Sequence, residues 1–239
     1  MLNGNEGGAE TANEARSRSE TVYLLLRRAI LEQTLQPGTK LPEDVVGEQC
    51  GVSRTIVRAA LARLDGEGLV ELRPNRSAVV AKPTLEEARG IFAVRLWLER
   101  AVIASLAQGI TRRQLALLDG HVDREDHARG RSAPLAIRLA GEFHTLLAEL
   151  TGNRLLARYV AETVSRCSLI LALYGRPHSA DCAVSEHRQI IEALRRKDAA
   201  EAERLMIDHL GGVEERAELA PAAALDLRDI LSRYTEPVA

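Results

Sequence analysis

The alternation of apolar and polar positions divides the chain into two parts of different character. From Ser19, the stretch ETVYLLLRRAILEQTL sets Val22, Leu25, Leu26, Ala29, Ile30 and Leu35 near the spacing of one helix face, and QPGTKLP stops it with Pro37 and Gly38. EDVVGEQC suits a two-turn helix closed by Gly51, and Ser53 stands as the N-cap of a helix over 54–65 that buries Ile56, Val57, Ala60, Leu61 and Leu64. Gly66 and Gly68 end that helix, and the runs LVELR and SAVVAK around a polar PNR turn predict a small β-hairpin. Three helices followed by a hairpin make a winged helix-turn-helix, expected over 19–83.

Residues 1–18 are polar and Gly-rich and predict a loose arm, because they bury too little apolar surface to order themselves. After Pro83 the segments become Leu- and Ala-rich, separated by QGIT, ARGRSAP, TGN, GRPHSA and RRKDAA, which predicts about six helices and no strand over 84–218. In the tail, 219–239, a short helix is expected at LDLRDILSRY. The fold class is therefore mainly α, a winged helix-turn-helix followed by an all-helical bundle. With 3% aromatic residues, the bundle must pack a mostly aliphatic core.

Composition narrows the setting. A chain of 239 residues with 46% hydrophobic content forms one or two domains, and a net charge of −2 requires any nucleic-acid surface to be local. Three scattered cysteines, Cys50, Cys167 and Cys182, fit a reducing cytoplasm better than a disulfide framework. The N-terminus lacks the apolar run of a signal peptide, and no stretch of roughly 18 apolar residues follows, so a cytoplasmic location without membrane contact is expected.

Arg54 and Arg58, four residues apart, lie at the front of the third helix. An α-helix fits the major groove of B-DNA, and a guanidinium bonds guanine O6 and N7 bidentately. Ser53 and Thr55 add short donors suited to phosphates, and the hairpin turn carries Asn75 and Arg76. Two solvated arginines on an amphipathic helix would look the same in isolation. The order of helices and hairpin around them favours double-stranded DNA.

This region resembles the GntR family of bacterial transcription regulators, through LQPGTKLPE, GVSRTIVRAALARLDGEGLV and ELRPNRSAVV in that order. The resemblance implies that Arg54, Thr55 and Arg58 contact the operator, that Arg76 at the wing tip reaches the minor groove or its phosphates, and that Lys40 meets a phosphate. Two positions depart from the family pattern: DVVGEQ replaces the usual second-helix residues, and Ser77 stands where the wing commonly has Gly.

Of six histidines, His144, His187 and His209 lie inside apolar-periodic helices, whereas His121, His127 and His178 have polar or linker-like neighbours. Three imidazoles converging from three helices would suit Zn²⁺ or another borderline divalent ion, and satisfied core histidines would give the same pattern. VRLWLERAVIASLA, EFHTLLAELTGN and EHRQIIEALRRKDAAEAERLMIDHL look like the FCD effector domain of the FadR subfamily. That resemblance implies a divalent metal on His144, His187 and His209, zinc first with nickel or manganese as alternatives. It also implies a carboxylate four residues before the first histidine, where this chain has Ala140. Glu142 points roughly 200° around the helix from His144 and does not replace it.

Arg95 and Glu99 could pair across one helical turn, whereas the resemblance implies that Arg95 takes the carboxylate of an anionic effector. Asn153 reads first as an N-cap and second as an effector contact, and Tyr174 is open to both structural and effector roles.

These readings predict a DNA-binding regulator, a homodimer on a pseudo-palindromic operator, whose affinity is set by a small organic acid bound with the metal. The alternatives are a metalloregulator that senses the ion itself and a metal-dependent hydrolase. The sequence has no HExxH, Gly-rich phosphate loop or GxSxG elbow, and the expectation is that it is not an enzyme.

Overall fold

In the computed structural model of the chain, residues 6–174 and 181–215 are described, with side chains placed over 15–174 and 183–215. His178 and the tail helix expected at LDLRDILSRY lie outside the described residues. Two compact units form. One contains the first helix up to Ile30 together with Thr34–Ala81, and the other contains Leu31–Gln33 and the described residues from Lys82 to Glu215.

The first unit comprises α1 (Glu6–Leu31), β1 (Lys40–Leu41), α2 (Glu43–Cys50), α3 (Arg54–Gly66), β2 (Val70–Glu71) and β3 (Ala78–Val80). Helix α1 starts inside the segment expected to be a loose arm, which corrects that expectation. The Ala, Glu and Arg residues of that segment are strong helix formers, and extending a helix already nucleated at Val22–Ile30 adds a bond per residue. Its buried face is Val22, Tyr23, Leu26, Ala29 and Ile30. Val57, Leu61 and Leu64 of α3 and Val46 of α2 are buried in the same unit, each fully buried large side chain contributing about 1.5–3 kcal/mol.

Two glycines set the turn between α2 and α3. Gly51 closes α2 at φ 63°, a left-handed position that suits Gly. A Cβ on Gly47 would stand 2.8 Å from the Val52 carbonyl oxygen, and that close approach lets Val52 N–H donate to Gly47 O at 2.9 Å. The sheet is antiparallel in the order β1–β3–β2, with Lys40 opposite Val79 and Val70 opposite Val80. The predicted hairpin is β2–β3. Strand β1, two residues long, is too short to leave an alternation in the sequence.

Among the described residues the second unit has six helices: α4 (Leu85–Ala107), α5 (Arg112–Ala128), α6 (Ala133–Leu150), α7 (Arg154–Tyr174), α8 (Asp181–Arg195) and α9 (Ala199–Glu215). Several begin on side-chain caps at the predicted breaks. Thr84 with Glu87 and Thr111 with Gln114 form capping boxes on α4 and α5, and Ser132 accepts from Leu135 N–H on α6. Helix α4 packs on α7 and α9, α6 on α5 and α7, and α8 on α5 and α9, so neighbours close a ring in the order α4–α7–α6–α5–α8–α9. The aliphatic core within it includes Val102, Ile103, Leu118, Leu147, Ile190 and Met206 around Phe143. None of the described helices is long and apolar enough to cross a membrane.

Candidate functional site

Three helices of the ring carry the histidines inward. His144 on α6, His187 on α8 and His209 on α9 are all buried, and one ligand atom from each lies within 4.8 Å of the others. His144 Nε2 and His209 Nε2 stand 3.2 Å apart, and His187 Nε2 is buried without a hydrogen-bond partner. The opposite nitrogen of every ring meets a carboxylate. Nδ1 of His144 donates to Glu99 Oε2 at 2.5 Å, Nδ1 of His187 to Glu125 Oε2 at 2.9 Å, and Nδ1 of His209 to Glu186 Oε2 at 2.6 Å.

Each carboxylate selects the tautomer with the proton on Nδ1, which leaves the Nε2 lone pairs for the shared space. Burial holds His144 and His187 well below the ordinary imidazole range, so both rings are neutral and able to donate electron pairs. Phe143 stacks on the His187 ring with centroids 3.9 Å apart and planes 18° apart, which fixes that ring further. Three converging imidazole nitrogens, the orphaned His187 Nε2 among them, and three outer carboxylates form a donor set that fits a borderline divalent ion.

Arg95 and Glu99 extend this cluster. Arg95 Nε donates to Glu99 Oε1 at 2.6 Å, and both side chains are buried, so the pairing across one turn is the arrangement found. Burial works against the charge on Glu99, and the His144 ring and Arg95 overcome it, keeping its carboxyl at about 2. Glu125, by contrast, is pushed up to about 7 by burial, and its Oε1 has no hydrogen-bond partner. The guanidinium of Arg95 also lies beside the buried Cys167 of α7.

Two residues with a candidate effector role have local partners. Asn153 is exposed and caps α7, its Oδ1 accepting from Leu155 and Leu156 N–H at 3.1 Å each. Tyr174 uses its hydroxyl to donate to the Pro83 carbonyl at 2.9 Å and packs against the cluster of Phe92, Ile170 and Val213. Ala140 is half-buried and offers no ligand atom, and Glu142 accepts from Arg138 at 2.6 Å. His121, expected in a polar setting, is buried, with Nε2 at 2.9 Å from the Leu139 carbonyl and Nδ1 facing Arg124. His127 faces Arg131 on the surface.

Sequence reasoning missed the outer carboxylates Glu125 and Glu186. Their signal was present for Glu125, an acidic residue on the same α5 face as Leu118 and Val122.

In the first unit, Ser53, Arg54, Thr55 and Arg58 are all exposed at the start of α3, while Val57, Ala60, Leu61 and Leu64 face the core. Ser53 is the N-cap residue but makes no side-chain cap bond. Arg58 Nε donates to Glu43 Oε1 at 2.8 Å, and Arg54 Nη2 lies 3.8 Å from Asp44 Oδ2. In the wing, Asn75 takes the left-handed conformation at φ 55°, which an Asn tolerates, so the turn forms with Ser77 in place of a glycine. Arg76 is exposed at that turn, Lys40 is exposed on β1, and Arg73, not anticipated, donates from Nη2 to the Ser77 carbonyl at 3.3 Å.

The family models match both units. Residues 18–80 match the bacterial regulatory proteins of the gntR family, and residues 90–212 match the FCD domain. The chain is 25% identical over 192 residues to the HTH-type transcriptional regulator YdhC of Bacillus subtilis, covering 78% of this chain and 85% of that one. It is 28% identical over 207 residues to the HTH-type transcriptional repressor RspR of Escherichia coli K12, covering 85% and 90%. The solved structure of E. coli McbR/YncC superposes with a TM-score of 0.73 over 82% of this chain and 94% of that one at 21% identity, a likeness of fold. The chain is thus a transcriptional regulator of the GntR family, in the FadR-like group that joins a winged helix-turn-helix to an FCD domain.

Proposed function

We propose that this regulator reads a DNA operator through the tip of α3 and that a small organic acid, bound with a divalent ion at the three histidines, controls that binding in the cytoplasm. The observation that carries the reading is the convergence of the Nε2 side of His144, His187 and His209 while each Nδ1 is held by its own carboxylate. His144, His187 and His209 would hold the ion, zinc first, with nickel or manganese as alternatives. A divalent ion with three protein ligands supplies a Lewis-acidic centre that can accept a carboxylate ligand.

The protein's own part is to fix the rings. Glu99, Glu125 and Glu186 orient them, Phe143 clamps His187, and Arg95 neutralises the Glu99 carboxylate that holds His144. Arg95 remains the proposed contact for the effector's carboxylate, with one edge of its guanidinium held by Glu99.

At the DNA, Arg54, Thr55 and Arg58 enter the major groove, Ser53 and Lys40 meet phosphates, and Asn75 and Arg76 bring the wing to the adjacent backbone or minor groove. A single winged helix covers few base pairs, so two copies of the chain on a pseudo-palindrome supply the selectivity.

Selecting duplexes from a randomised pool with the full chain tests this reading. A consensus of two inverted half-sites, bound with an affinity that changes when a small carboxylate and Zn²⁺ are added, supports it. A response to Zn²⁺ alone that no acid alters makes the ion the signal, and no consensus removes the reading.

A further inference from the structure

We propose that Glu43 is a specificity-determining residue of the DNA-reading tip, holding Arg58 by its inner nitrogen and cancelling charge that would bind any phosphate. This rests on the assignment of Arg58 as a base contact. Glu43 is the first residue of α2, set there by the extended Pro42 at φ −63° and ψ 129°. Its side chain is 28% exposed, against 71% for Arg58, so the carboxylate is the better-fixed member of the pair.

The bond uses Arg58 Nε at 2.8 Å. Among the described residues, no hydrogen bond engages the two outer nitrogens of Arg58, the pair that can meet guanine O6 and N7 side by side. The neighbouring arginine is held differently. Arg54 Nη2 lies 3.8 Å from Asp44 Oδ2, beyond hydrogen-bond reach, while Asp44 Oδ1 accepts from Val45 N–H at 3.0 Å. Arg58 is thus anchored with an outer edge to present, and Arg54 is merely attracted, as a phosphate contact can be.

Charge completes the argument. Two guanidinium groups and two carboxylates share the exposed tip, so its local charge is close to zero. Binding to random sequence depends on neutralising phosphates, whereas a bidentate base contact depends on orientation. Acidic residues here weaken the first and favour the second. An exposed ion pair contributes little to folding, so stability does not account for the arrangement.

The test uses the full chain, a duplex that the wild type selects from a randomised pool and an unrelated duplex of equal length, with anisotropy titrations at several salt concentrations. Glu43→Ala is expected to tighten binding to the unrelated duplex and to steepen its salt dependence by up to about 0.9 in log–log slope. It should also narrow the ratio of selected to unrelated affinity by about tenfold.

Glu43→Gln, which keeps an acceptor without the charge, should retain affinity for the selected duplex while binding the unrelated one more tightly. Adding Glu43→Ala to Arg58→Ala should narrow the ratio no further. If Arg58→Ala narrows the ratio and neither Glu43 variant changes ratio or slope, the role of Glu43 is overturned and the base contact stands. If Arg58→Ala leaves the ratio intact, or the pool yields no consensus, the base contact itself is wrong and the proposal falls with it.

Discussion

Glu99 and His144 are joined inside the helical unit by a 2.5 Å hydrogen bond from Nδ1 to Oε2, with both residues buried. The bond fixes which face of the imidazole points at His187 and His209. The same carboxylate accepts from Arg95, so an arginine, a carboxylate and a histidine act as one buried unit.

Removing the middle member should therefore be costly. Glu99→Ala leaves the Arg95 guanidinium buried without its partner, and the expected loss is about 3–5 kcal/mol in urea unfolding of the chain. A loss below about 1 kcal/mol, the range of an exposed pair, would show that water reaches Arg95.

Glu186→Ala addresses ring orientation with less risk to folding, since the Glu186 side chain is 33% exposed. Releasing the His209 Nδ1–H should weaken Zn²⁺ binding about 10- to 100-fold in competition with a chelating dye. An unchanged affinity would mean that His209 is oriented by packing alone.

At the DNA, Arg58→Ala should cost about 1–3 kcal/mol on the selected operator and relax preference at one base pair. Equal weakening on every sequence would assign Arg58 to a phosphate.

Gly47→Ala tests the close approach between α2 and α3. Alanine favours a helix over glycine by about 1 kcal/mol, yet its Cβ meets the Val52 carbonyl oxygen at 2.8 Å, a backbone atom that cannot rotate away. Net destabilisation of about 1–3 kcal/mol is expected by thermal or urea unfolding. A more stable variant would show that the turn relaxes.

Much of this was legible in the residues, for reasons that differ by element. Helix α3 announces itself because its apolar residues recur at helical spacing and Ser53 and Gly51 mark its start, and its exposed Arg54 and Arg58 follow from the same periodicity. The histidine cluster was legible as three residues on apolar faces, but their convergence depends on how α6, α8 and α9 close the ring, which no local pattern records.

Arg95 illustrates the boundary. Its spacing from Glu99 allows a pair, but that the other oxygen of Glu99 meets His144 from another helix is not written in that spacing. His121 misled through its neighbours in sequence, because Asp119, Asp123 and Arg124 lie on the outer face of α5 while His121 shares the inner face with Leu118, Val122 and Glu125. Asn153 and Tyr174 make local bonds, a helix cap and a contact to a backbone carbonyl, and of these only the cap was legible in the sequence.

The most direct test of the account is native mass spectrometry of the untagged full chain, purified without chelator, beside its His187→Ala variant. The account predicts that each wild-type chain carries about one divalent ion, together with a small acid, and that both adducts vanish from a folded variant. A bare wild-type chain that also fails to take up added Zn²⁺, or identical adducts on both proteins, would contradict it.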